Sequence, residues 1–440
     1  MEKMKFTVSG GSVGRFLLGL VAALVVVFAI TLVSFAFFSP GDSDDTVAAS
    51  LTTLPPSTEA AIAAATTTTT TTTTMATTTT TLPPGPVVTV ATEGAPAGFD
   101  DLVASLYAWA GGGDEPPEAS EELLAALAGA ADFTALELAG EANSAELPEI
   151  GEVLVAVFDE DVVLAVDDGS GWRIVGAKLA RFGLDPLYGR PVRMAMIIGS
   201  DARPGENQQR LRADSLHLAT TVPAEGAGAI VGFPRDSWVR TPYGGETKFA
   251  HVMAGRGPEV VLETARNLTG LPIEGYVVTG FMGFTGLVDE FGGLAVDIPF
   301  GMSDEASQAF FREGLQRLMG PQALAFSRNR HIGGGDLTRS FHQGVVIHAG
   351  LVAVQERGIL VLPDLLALLL RHAWTDFDAE ELLTLAAATY EMEPGKVTNQ
   401  VVPASLGRVG SASVVFLGDG AQAIFRDLED DGLITPEADD

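Results

Sequence analysis

Three short apolar runs, at residues 192–198, 215–222 and 228–233, set the character of the second half of the chain. Each is bounded by polar or glycine-containing sequence, the pattern of strands buried in a sheet. The apolar spacing then shifts to a helical period. Residues 258–268 open with proline at the first helical position and stop at Gly270. Phe281–Phe291 reads as a second helix closed by Gly292 and Gly293, and Leu294–Ile298 alternates as a strand. Residues 340–355 read as a third helix with Phe341, Val345, His348 and Val352 along one stripe. Another apolar helix follows Pro363, and a last strand lies near residues 413–417. The fold class is α/β: one domain over residues 191–425, with residues 426–440 as an acidic C-terminal tail.

Residues 91–190 read as a small α+β accessory region. Phe99–Ala110 and residues 120–131 are helical in spacing, residues 152–166 are strand-like, and a turn at Asp168 to Gly171 leads into residues 172–175 as a hairpin. Nothing there carries recognisable chemistry. Residues 66–81 are threonine broken only by Met75 and Ala76, inside a Thr/Pro-rich stretch, 39–90, that reads as an extracellular linker. Residues 16–38 carry no charge and exceed the about 20 apolar residues that a bilayer core requires. Lys3, Lys5 and Arg15 precede this span and Asp42, Asp44 and Asp45 follow it. The positive side stays inside. The expectation is a cytoplasmic stretch at 1–15, one transmembrane helix at 16–38 in the cytoplasmic membrane, and the remainder outside.

Charge narrows the chemistry. The 440 residues hold 26 Lys and Arg against 57 Asp and Glu, a formal net charge of −31. A duplex-binding protein needs a basic face, so nucleic acid is not an expected partner. There is no cysteine, which removes disulfides, thiolate zinc sites and a cysteine nucleophile. In this acidic background Arg328, Arg330 and Arg339 fall within one short stretch, and cations gathered so closely need an anionic client. Arginine's planar fork suits phosphate oxygens.

Strand ends in α/β proteins deliver functional side chains. Asp201 lies just past the first apolar run, and Arg212 and Asp214 open the second. Two carboxylates at the mouth of a sheet suit a hard cation such as Mg²⁺, which takes oxygen ligands and keeps waters and substrate phosphates. The bland alternative is that Asp201 caps a loop and Asp214 pairs with Arg212. Arg235 follows the third strand as Asp201 follows the first. Arg328 and Arg330, two apart, point the same way if extended. After Gly333, Gly334 and Gly335, Thr338 is a candidate N-cap. Arg339 and Gln343 share a helix face, and a helix N-terminus bearing arginine invites an anion. The competing expectation is a salt-bridge lattice with Asp336. His331 and His342 have no zinc-type spacing.

Taken in order, the IIGSDAR stretch, the Arg212-Ala213-Asp214 triplet, the PRDSWV block and Lys248 in KFAHVMAGRGP resemble the LytR-CpsA-Psr family of cell-envelope proteins. So do LTGLPIEGYVVTGFMGFTGLVDEFGGLAVDIP, ALAFSRNR and the D-x-x-R run that ends in Gln343. The resemblance implies a central mixed β-sheet flanked by helices. It also implies a phosphotransferase that moves a glycan polymer from a polyprenyl-pyrophosphate carrier to peptidoglycan, using Mg²⁺. Asp201 and Asp214 would match the metal-holding carboxylates. Arg212, Arg235, Arg328, Arg330, Arg339 and Gln343 would match the pyrophosphate clamp, with Lys248 a further match and Arg203 a weaker one. Asp201, Arg212, Asp214, Arg235 and Arg339 are the implied catalytic set. His342 stands where relatives commonly carry Arg. The prenyl tail would lie between sheet and helices beside Phe281–Phe291. A hydrolase of the same lipid and a non-catalytic binding protein remain alternatives, and the acceptor's base stays open among Asp214, Asp236 and Asp336.

Overall fold

The computed structural model describes residues 85–435. The expectations for residues 1–15, 16–38 and 39–84, and the tail expectation for 436–440, lie outside the described residues. The described chain begins with β1 (Val87–Glu93), so the linker reading that ran to residue 90 ends in a strand instead. Then come α1 (Phe99–Ala110), α2 (Glu121–Leu127), β2 (Ala135–Leu147), β3 (Gly151–Phe158), β4 (Asp161–Asp167) and β5 (Trp172–Lys178). The five strands form one sheet in sequence order, parallel between β1 and β2 and antiparallel elsewhere. The single strand-like stretch expected at 152–166 is two strands, because Asp159 turns the chain at a φ of 59°. The helix expected at 120–131 ends at Leu127, two residues before Gly129 adopts a φ of 63°. The middle strands are apolar throughout because both faces are covered. Leu154, Ala156, Val163 and Ala165 pack under α1 and α2, whereas Val153, Val155, Leu164 and Val166 face the following domain.

That domain starts with β6 (Arg193–Ser200), β7 (Ala213–Val222) and β8 (Ala227–Gly232), antiparallel in succession. A short hairpin, β9 (Trp238–Arg240) and β10 (Glu246–Lys248), leads to α3 (Phe249–Val252) and α4 (Pro258–Thr269). Helix α4 has proline in its first turn and closes at Gly270, whose φ of 77° favours glycine. β11 (Gly275–Gly280) runs parallel to β6 and feeds α5 (Phe281–Phe291). Then follow β12 (Leu294–Ile298), β13 (Met302–Asp304), β14 (Ala309–Phe311), β15 (Gly314–Leu318), α6 (Gly320–Arg328), α7 (Asp336–Gln355) and α8 (Leu362–His372). β16 (Trp374–Thr375), α9 (Ala379–Tyr390), β17 (Val397–Val401), β18 (Ala404–Val409), β19 (Ala412–Leu417) and α10 (Asp419–Asp431) complete the chain. The central sheet is mixed, in the order β16-β11-β6-β7-β8-β17.

Several expectations shift here. Helix α7 starts at Asp336, behind Gly335, so Thr338 is no cap; its hydroxyl donates to the Gly333 carbonyl inside the first turn. The buried stripe of α7 is Arg339, His342, Val346 and Ala349, one position off the expected stripe, and Phe341 is exposed. The acidic tail read from residue 426 onward overlaps α10, which buries Ala421, Ile424, Phe425 and Leu428 at helical spacing. Acidic residues on its outer face masked that period.

The sheet's two faces are filled unequally. One face, with Met194, Met196, Ile198, Leu216, Leu218 and Val278, is fully buried under α3, α4 and α10. The other faces α5, α7, α8 and α9. There Ile197, Gly199, Ser215, Ala219, Val277 and Thr279, all on inner strands, are only half-buried. Val277 still packs against the core that α8 and α9 share with the accessory sheet. Helix α7 touches the sheet at His217. The His217 Nε2–H donates to the Ser340 carbonyl at 3.0 Å, its Nδ1 accepts from the Ser215 hydroxyl at 3.1 Å, and a Cβ on Gly232 would lie 2.4 Å from the Ser340 Oγ.

Two outcomes follow for stability. Truncating the fully packed ring in Phe425→Ala should cost about 3–5 kcal/mol, read as a lower denaturant midpoint with full activity of the residual fold at low temperature. Burial pushes both His217 and His342 down to about 4. The unfolded chain therefore takes up more protons than the folded one between about pH 6.5 and 4. Stability is complete above about pH 6.5 and is lost as pH falls towards 4. The melting temperature should drop across that window, and drop less in His342→Phe, whose ring cannot take a proton. An equal drop in both proteins would contradict the assignment to His342.

Candidate active site

One end of the central sheet gathers the site. β6 ends there and delivers Asp201; its antiparallel neighbour β7 begins there with Arg212 and Asp214 beside its first residues. β8 ends there and leads to Arg235, and β11, parallel to β6, ends there and leads to Phe281. Strand direction alone places these residues side by side. They surround a cleft of about 450 Å³ lined by Asp201, Arg203, Arg212, Asp214, Arg235 and Arg328, and also by Glu206, Leu211, Ala254 and Phe281.

The ion pairs differ from those expected. Arg212 holds Asp201, not Asp214: its Nη2 lies 2.8 Å and its Nε 2.9 Å from Oδ2, and its amide donates to Oδ1 at 3.1 Å. Asp214 instead faces three guanidinium groups. Arg235 bonds it directly, Arg339 lies at 3.7 Å and Arg330 at 3.8 Å. Burial would raise the Asp214 carboxyl, but Arg339, Arg235 and Arg330 together hold it below the usual carboxylate range. Burial is also the largest influence on Arg339, which is 2% exposed; Asp336 and Asp214 oppose it, and its pKa is lowered to about 10. It stays charged at neutral pH. Asp336, in the first turn of α7, accepts from Arg339 at 2.7 Å. The salt-bridge lattice is therefore real, and the charge of Arg339 is met within the chain.

That lattice is incomplete. The buried Nε atoms of Arg235 and Arg339 and the Oδ2 of Asp336 have no hydrogen-bond partner. Among the described residues, no carboxylate lies within ion-pair distance of Arg203 or Arg328. Arg328 caps the ring of Phe281, 4.8 Å from its centroid, a cation–π contact that leaves its donors free. Arg328 closes α6 whereas Arg330 follows in the loop, so the two do not share an extended strand.

Two predicted residues are placed elsewhere. The Gln343 Nε2 donates to the Ser327 carbonyl at 3.2 Å, tying α7 to α6. Lys248 pairs with Asp236 at 3.0 Å, beside Arg235 but off the cleft lining. His342 is buried against Phe326, with ring centroids 4.5 Å apart, and does not replace an arginine contact. The sequence reading missed Glu206, whose carboxylate accepts from the Arg203 amide at 2.6 Å, and His251 on α3. His251 is exposed, and burial, Arg212 and Lys248 push its pKa down. Its signal was its place three residues after Lys248.

A magnesium ion can be tested against this donor set. No group of three or more ligating side chains occurs among the described residues, which rules out an all-protein cage there. Mg²⁺ is commonly held by one or two carboxylates plus substrate phosphates, and Asp201 and Asp214 both line the cleft. The residues fit an ion that enters with a phosphate ligand.

The model of the LytR_cpsA_psr family matches residues 191–425, more than half of the chain. Over 249 residues the chain is 28% identical to the probable cell wall biosynthesis protein LcpB of Corynebacterium glutamicum, covering 53% of this chain and 60% of that protein. Over 150 residues it is 32% identical to the polyisoprenyl-teichoic acid–peptidoglycan teichoic acid transferase TagV of Bacillus subtilis, covering 32% of this chain and 38% of that protein. The chain thus spans less than two thirds of the length of these relatives. The crystal structure of B. subtilis TagV aligns with a TM-score of 0.49 at 24% identity, covering 56% of this chain and all of that one. With the family's segment coinciding with the mixed sheet, its helices and the arginine-lined cleft, the chain belongs to the LytR_cpsA_psr family.

Proposed function

We propose that the chain transfers a glycopolymer from a polyprenyl-pyrophosphate carrier to peptidoglycan, forming a phosphodiester link. The observation that carries this reading is a surplus of guanidinium groups in a chain of net charge −31. Arg203 and Arg328 line the cleft without carboxylate partners, and their donors are open to a ligand. A diphosphate supplies the acceptor oxygens these donors lack. The half-buried Ile197, on the sheet face toward α5, α7 and α8, offers apolar surface to a chain attached to that headgroup. TagV, by its name, moves a polyisoprenyl-linked polymer to peptidoglycan. The uncharged span at 16–38 supports an anchor in the cytoplasmic membrane with the cleft outside.

In this reading Arg212, Arg235 and Arg328 grip the diphosphate oxygens, and Arg339 and Arg330 hold Asp214 in place behind them. Phosphoryl transfer spreads charge over oxygens in the transition state, so fixed guanidinium groups supply most of the stabilisation needed. Asp201 and Asp214 would hold Mg²⁺, which would neutralise phosphate oxygens when bound.

Given Mg²⁺, a prenyl-diphosphate glycan and peptidoglycan fragments, the full chain should release prenyl phosphate and form a glycan-phosphate adduct. Chelating the metal should abolish this, and Arg235→Ala should slow it by at least about 10²-fold. Prenyl phosphate without adduct would mark a hydrolase, and equal rates in Arg235→Ala would remove the assignment of the cleft.

A further inference from the structure

We propose that His251 is the general base that takes the proton of the acceptor hydroxyl, an inference that rests on the transfer reading above. Helix α3 is docked on the loop that carries Arg235. The Phe249 amide donates to the Ser237 carbonyl and the Ala250 amide to the Arg235 carbonyl, each at 2.8 Å. Ala254 lines the cleft, and its amide donates to the His251 carbonyl at 3.2 Å. Residues three apart on a helix are neighbours on one face, so His251 stands next to Ala254 at the rim, just outside the cleft lining, where an acceptor arriving from solvent would pass. Its ring is exposed and makes no hydrogen bond to any described residue.

The carboxylates that would compete are committed. Asp214 serves Arg235, Arg330 and Arg339; Asp336 serves Arg339; Asp236 serves Lys248; Asp201 serves Arg212. Each of these would have to surrender an ion pair to take a proton, and Glu206, the remaining carboxylate of the cleft lining, already accepts from the Arg203 amide at 2.6 Å. The charged groups facing His251 are Arg212 ahead of β7, Arg235 and Asp236 in the loop after β8, and Lys248 from β10. Burial first, then Arg212 and Lys248, keep the ring neutral at pH 7. A bound diphosphate offsets those cations, so the base strengthens once the donor is seated. In the step itself, the acceptor oxygen bonds to the phosphorus that carries the glycan. The bond from that phosphorus to the bridging oxygen breaks, its electron pair leaves on prenyl phosphate, and the hydroxyl proton passes to His251 and then to water.

The test follows adduct formation by the full chain with Mg²⁺, a short-chain prenyl-diphosphate disaccharide and peptidoglycan fragments, from about pH 4.5 to 8. For the wild type, kcat/KM should rise with pH through an apparent pKa below 6.5, the ordinary histidine value, and kcat through a higher one. His251→Gln should lose about 10²-fold in kcat, lose that acid limb and keep the donor KM. Added imidazole should restore part of the rate. An acid limb that persists in His251→Gln, or a loss confined to KM, overturns the inference and leaves the transfer reading standing. Wild-type protein that makes neither adduct nor prenyl phosphate overturns both.

Discussion

The active end of the sheet is organised around one carboxylate, Asp214, set among Arg235, Arg330 and Arg339. Buried charges persist only when paired, and Arg339 is buried almost completely. An ion pair near 4 Å is worth roughly 4 kcal/mol at an effective dielectric of about 20, comparable to the several kcal/mol lost on desolvating a guanidinium group. Asp214 and Asp336 together thus hold the three arginines in place without neutralising them. The remainder is a fixed positive field at the cleft. Elsewhere the chain's net charge of −31 repels anions, so this positive field is local to the cleft.

The second constraint is spacing between layers. Gly232 lets α7 approach the sheet closely enough for His217 to bond the Ser340 carbonyl. That contact lies one residue from Arg339, so it fixes the depth at which the buried guanidinium meets Asp214. Away from it, Ile197 on the same sheet face is only half-buried. The pinned point keeps the charged end of the sheet rigid.

The accessory sheet supports this arrangement from behind. Its Val153, Val155, Leu164 and Val166 share a core with Leu362, Leu366, Leu382 and Leu383 of α8 and α9. Arg193 fastens the junction. Its Nε donates to both Glu274 oxygens, and its Nη atoms donate to the Tyr188 carbonyl, the Thr384 hydroxyl and the Glu381 carbonyl. A single buried side chain thereby ties the start of β6, the approach to β11 and α9. Helices α8 and α9 are tied to the accessory sheet through that shared core.

Apolar periodicity determined β6, β7, β8, α4, α5 and β12, because local spacing dictates which face each element can bury. It also placed Asp201, Arg212, Asp214 and Arg235 at strand ends, and antiparallel and parallel strand directions then bring those ends together. Acidic side chains on the outer face of α10 concealed its buried ring, Phe425. What only tertiary structure decided was who meets whom. Arg212 takes Asp201 and leaves Asp214 to Arg339, 125 residues away; Gln343 turns to Ser327 and Lys248 to Asp236. Such partners are chosen by distance in space, and a pattern along the chain carries the identity of a charge but not the separation at which Coulomb's law weighs it.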